Sequence, residues 1–151
     1  MGFQWPAWII APVAAAIFIT TGAQLLSMTR IVESWPDFLA AHYLALWERS
    51  SHHPKRDVLC SPVAMLGASQ RIHADALPMF SGKRVRIFGH EDEAGRVAVE
   101  RWAAQLASVG ADVDAFSFTG LRQIDGKPVK DLNDSLLMDV GSFAQAERLL
   151  P

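Results

Sequence analysis

Three short stretches combine residue types that can do chemistry. Glu33 is followed four residues later by Asp37, His90-Glu91-Asp92 runs into Glu93-Ala94-Gly95, and Lys130-Asp131-Leu132-Asn133-Asp134 lies further on. The first two directly follow segments that read as β-strands and the third lies beyond a later one, so a parallel sheet would bring all three to the carboxyl ends of its strands. Open α/β sheets place their ligands there. Gathered carboxylates can hold a hard divalent cation, which prefers oxygen donors and bridges substrate phosphates. Mutual repulsion within such a cluster also disfavours ionisation of one member, which can then carry a proton.

The elements that must position these residues follow a βαβ rhythm after Arg30. Met28 to Val32 is a predicted strand. The helix after it is announced by Ser34 as N-cap, Pro36 in the first turn and Asp37 at the positive helix end, with Phe38, Leu39, Ala41, Ala45 and Leu46 as its buried stripe. Ser50 to Pro54, including His52 and His53, reads as a surface loop, because the histidine pair lacks partners at ligand spacing. A second strand is expected within Asp57 to Leu66, a turn at Gly67 to Ser69, and a short helix over Ile72 to Phe80. Lys83 to Gly89 is the clearest strand. Glu93 to Val109 is the clearest helix, with Val99, Trp102, Ala103 and Leu106 on one face and Gly110 ending it. Val113 to Phe118 forms a fourth strand, Asp125-Gly126 with Pro128 makes a turn, and Ser142 to Leu150 a last helix. The expected fold is α/β and Rossmann-like, with about four mostly parallel strands flanked by helices.

With those elements in place, the chain resembles the Toprim domain family, in its primase-like form. The first Toprim motif is a strand ending in Glu-Gly with an Asp four residues past the Glu, and here it reads Ile31-Val32-Glu33-Ser34-Trp35-Pro36-Asp37. The second is a strand ending in Asp-x-Asp, followed by x-Ala-Gly and a long helix; here it reads Ile87-Phe88-Gly89-His90-Glu91-Asp92-Glu93-Ala94-Gly95. Val63 to Ala68 is similar to the strand and Leu-Gly-Thr turn of primases, and Lys130 to Asp134 to their Lys-Asp-x-Asn-Asp element. The resemblance spans about Met28 to Met138. It implies metal-dependent nucleotidyl or phosphoryl transfer on nucleic-acid phosphates, with DNA as the expected partner and helicase or other replication domains supplied in trans. By position it makes Glu33 the proton-transfer group, and Asp92, Asp131 and His90 the metal-site residues for Mg2+, with Mn2+ as an alternative.

Two residues depart from the pattern. Ser34 stands for the usual glycine, which is tolerated where the local φ is negative. His90 stands for an aspartate, exchanging an anionic oxygen for an imidazole and favouring Mn2+ or Zn2+ over Mg2+. The open readings of His90 are a ligand, a general base, or a neutral replacement in a catalytically inactive binding or interaction module. Asp92 also suits the N-cap of the long helix, and alternation along an extended chain points Glu91 the other way. Among the cations, Arg96, Lys130 and Arg86 are the candidate nucleic-acid contacts, whereas Lys83 and Arg101 read as a solvated face.

Composition bounds the rest. A chain of 151 residues, half of them hydrophobic and with net charge −2, suits one globular domain and announces no bulk polyanion binding. The expected organisation is an apolar N-terminal segment to residue 27, a domain over 28–140 and a C-terminal helix or tail. The single cysteine, Cys60, sits among apolar residues and reads as a buried thiol in a reducing cytoplasm. No Asp, Glu, Lys or Arg precedes Arg30. Trp8 to Leu26 is long enough for a membrane tether, but Pro12, Gly22 and Gln24 interrupt it and no basic residue precedes it, so a buried element or a leader is the competing reading.

Overall fold

The computed structural model describes residues 18–19, 28–50 and 60–149, with side chains placed over 28–45 and 60–146. Most of the Trp8 to Leu26 stretch, and the His52-His53 loop, therefore lie outside the described residues. Among the described residues, no helix is long and apolar enough to cross a membrane.

The sheet is built from β1 (Phe18–Ile19), β2 (Met28–Val32), β3 (Cys60–Ala64), β4 (Arg84–Phe88) and β5 (Asp112–Ala115), in the order β1-β3-β2-β4-β5. The last four in chain order run parallel, and β1 adds a two-residue antiparallel edge against Val63 and Ala64. β2 occupies the middle, paired residue for residue with β3 and β4, and all five of its residues are buried. That is the usual state of a parallel strand covered on both faces.

Side chains alternate across the sheet and recruit one helix layer to each face. Ile31 and Ile87 join Val63 and Val85 in a core closed by Ala98, Trp102 and Leu106 of α2 (Glu93–Ala107). Val32 and Phe88 point to the opposite face, where Phe38, Ala40 and Ala41 of α1 (Trp35–Ser50) pack with Ala146 of α3 (Val140–Leu149). This is a doubly wound, Rossmann-like α/β fold. The chain leaves β2 for β3 on one side and returns to place β4 on the other, so its direction of winding reverses between β2 and β4.

Several expectations shift at element edges. Ile72 to Phe80 contains only a short 3-10 helix at Leu77–Phe80. The Gln105 side chain bonds both the N–H and the carbonyl of Ile72, taking backbone groups that a helix would have used. β5 ends at Ala115 rather than Phe118, because the Phe118 amide is captured by a carboxylate, that of Glu91. Leu39 is exposed, and the buried face of α1 is instead Phe38, Ala40, Ala41 and Ala45. Gly110, at φ +77°, follows α2 and turns the chain toward β5.

Candidate metal centre

Glu33 is the first residue past β2 and His90 lies just past β4, so the two neighbouring strands deliver them to the same end of the sheet. That end is the point where the winding reverses, and the crevice at such a switch point is where doubly wound folds bind ligands. The His90 N–H donates to Glu33 Oε2 at 3.4 Å, and its Nδ1 stands 3.8 Å from Glu33 Oε1.

Asp37 completes the group from the first turn of α1. Its carboxylate accepts from the Ser34 hydroxyl at 2.6 Å, while the Asp37 N–H returns a bond to that hydroxyl. This reciprocal cap fixes the start of the helix. Ser34 needs no glycine-only backbone, since Leu66 is the one non-glycine residue with positive φ among the described residues. The Leu66-Gly67 turn passes beside the site, its Gly67 N–H bonded to the Glu33 carbonyl at 2.9 Å.

Asp131 arrives on the excursion between β5 and α3. That segment is anchored by the buried Phe118, Leu121, Val129 and Leu132, and tied to the site by the Asn133 N–H, which donates to Asp37 Oδ1 at 3.1 Å. His90 Nε2 then lies 2.8 Å from Asp37 Oδ2 and 4.0 Å from Asp131 Oδ2. One potential ligand atom from each of Asp37, His90 and Asp131 falls within 4.8 Å of the others. The group can hold a metal ion.

Its protonation follows from this geometry. The hydrogen bond to Asp37 raises the His90 pKa to about 9 against the opposing effect of burial, with the charges of Glu33, Asp37 and Asp131 adding to the rise. Burial opposes ionisation of Asp37, but bonds from His90, Ser34 and the Asn133 amide outweigh it and keep its carboxyl below the ordinary range. Burial lifts the pKa of Asp131, assisted by the neighbouring Asp37 and Asp134 charges. At neutral pH His90 is thus an imidazolium among carboxylates, and a metal must displace its proton to use its nitrogen. Comparison with protein-family profiles, curated proteins and solved structures gives no match to this chain.

The remaining predicted site residues occupy other positions. Asp92 is exposed and caps α2, its Oδ1 accepting from the Gly95 N–H at 2.7 Å. The three-residue group draws its second carboxylate from Asp37 instead. The signal for Asp37 was present in the Ser34-x-x-Asp37 spacing, but a helix cap gives no hint that a distant histidine will bond to it. Glu91 turns away from the group, as alternation predicts, toward Ser117. Gly95 lets α2 start against the strand tip, since a Cβ there would come within 2.3 Å of the His90 carbonyl oxygen. Arg86 lies mid-strand with its Nε 2.7 Å from Asp114 Oδ1, and Arg96 is exposed and paired along α2 with Glu93 and Glu100. Lys130 is exposed, and its carbonyl accepts from the Glu91 N–H at 2.8 Å. Beside the group, a crevice of about 490 Å3 is lined by Gly89, His90, Asp92, Arg96, Phe116 and Ser117 among others.

Proposed function

We propose that this chain is a primase-like Toprim-type domain that acts on nucleic-acid phosphates with a divalent cation held by Asp37, His90 and Asp131. The observation carrying this reading is the meeting of those three side chains, with Glu33 beside them, at the switch point between β2 and β4. The motif order along the chain agrees with it. Two carboxylates and an imidazole are a mixed donor set, which suits Mn2+ better than Mg2+. Bound there, the ion would supply neutralisation of phosphate charge. Glu33 Oε2, held by the His90 amide, is the group placed to move a proton. Lys130, on the turn that carries Asp131, and Arg96, which lines the crevice, are the cations we assign to phosphate contact.

The 2.8 Å contact between His90 and Asp37 favours a second reading. In it the imidazolium occupies the cation's place and the domain is a non-catalytic nucleic-acid-binding module. Calorimetric titration with Mn2+ and Mg2+ at pH 7, on the wild type and His90→Asp, separates the two, alongside nucleotide incorporation on single-stranded DNA. The leading reading expects Mn2+ to bind the wild type more tightly than Mg2+ does, and incorporation to depend on Mn2+. If only His90→Asp binds metal, the second reading holds. If neither protein binds either ion, the metal reading is abandoned.

A further inference from the structure

We propose that Glu91 is a positioning residue that holds Asp131 and its turn against His90 and Asp37, a role resting on the metal-site reading above. Glu91 belongs to none of the acidic group, and its carboxylate points to the far side of the β4 tip. There it gathers the turn after β5: Phe118 N–H and the Ser117 hydroxyl donate to Oε1, the latter at 2.8 Å, and the Thr119 hydroxyl donates to Oε2 at 3.1 Å. Three donors on one carboxylate make a strong local anchor, because bonds to an ionised acceptor are roughly twice as strong as neutral ones.

The anchored turn bears on Asp131 through packing. Phe118 is buried in the same cluster as Leu132, the residue following Asp131, and the chain between them is pinned by the Leu121 N–H to the Phe118 carbonyl and the Val129 N–H to the Leu121 carbonyl. The Glu91 N–H also donates to the Lys130 carbonyl at 2.8 Å, a main-chain bond that side-chain substitution leaves in place, so the test reads the carboxylate alone. Releasing the carboxylate frees the Ser117 to Thr119 turn, and with it the packing that presents Asp131, while Glu33 and His90 keep their places just past β2 and β4 and Asp37 its place in the first turn of α1. Outer supports of this kind typically cost ten- to a hundredfold in metal affinity when removed.

The test is amide hydrogen exchange by NMR on the metal-free wild-type, Glu91→Ala and Glu91→Gln chains, followed by Mn2+ titration of each. Asn133 and Asp134 report the turn directly, because their N–H groups bond to Asp37 and Asp131. In Glu91→Ala these two amides are expected to exchange at least about tenfold faster while those of α2 are unchanged, and Mn2+ affinity to fall about tenfold. Glu91→Gln keeps an acceptor for the Phe118 N–H and is expected to restore most of both. Unchanged exchange at Asn133 and Asp134 in Glu91→Ala would overturn the proposal, as would an equal acceleration in α2, which marks general destabilisation. A wild type that binds no Mn2+ counts against the metal reading alone, and exchange then decides the role of Glu91.

Discussion

At the scale of the residue, the histidine that stands for an expected aspartate changes the site most. An aspartate there would add a further negative charge to a cluster that already holds Glu33, Asp37 and Asp131. His90 instead supplies a positive one, bonded to Asp37 at 2.8 Å. The consequence for pH follows from the direction of its shift. A folded-state pKa of about 9, above the ordinary 6.5, means that the contribution of His90 to stability is complete below about pH 6.5 and is lost as pH rises toward 9. Asp37 has the opposite sign: its lowered pKa contributes stability above the ordinary carboxylate range, which is lost under acid. The pair is therefore expected to stabilise most between roughly pH 4.5 and 6.5. Urea denaturation at pH 6 and pH 9.5 should show the wild type losing on the order of 1–2 kcal/mol over that interval, after allowance for solvent screening. His90→Gln should show a much flatter profile, and an equal loss in both proteins would remove His90 as the cause.

At the scale of the element, the start of α2 does two jobs with adjacent residues. His90 faces the acidic group, while Asp92 caps the helix and Gly95 gives it room to begin against the strand. Strand alternation alone would set His90 and Asp92 on the same side, and this made Asp92 a natural ligand candidate. The helix begins before that alternation can carry the second carboxylate into the group. Asp92→Ala should therefore cost about 1 kcal/mol through the lost cap, read as a lowered thermal midpoint, while leaving Mn2+ affinity within about twofold, well below the tenfold scale of a disturbed ligand shell. A tenfold loss of affinity would bring Asp92 into the metal site. The long helix, the strand at Arg84–Phe88 and the Gly110 turn were legible because each carries its own periodicity and its own stop signal. The segment before Leu77 was not, because the side chain of Gln105 on a distant helix decides where its backbone groups bond.

At the scale of the whole molecule, the two-faced core sets the geometry of the site, and a parallel sheet tolerates few polar groups at its centre. Thr29, the second residue of β2, is fully buried with a hydroxyl that finds no hydrogen-bond partner among the described residues. Replacing that hydroxyl with a methyl removes a desolvated polar group with little change of shape, so Thr29→Val is expected to stabilise by about 1 kcal/mol in chemical denaturation. A net destabilisation would mean that the hydroxyl is satisfied in solution. What the sequence determined by itself is local: the order of strands and helices, the side-chain alternation, the caps, and the acidic stretches at strand ends. Those depend on neighbours within a few residues, whose spacing is written in the chain. Which carboxylates meet was decided by tertiary structure alone. Asp37 reaches His90 across 53 positions, and the Asn133 amide reaches Asp37 across 96. Contacts at such separations depend on the winding reversal between β2 and β4 and on the packing of the loop that carries Asp131, and neither leaves a periodic trace in the sequence.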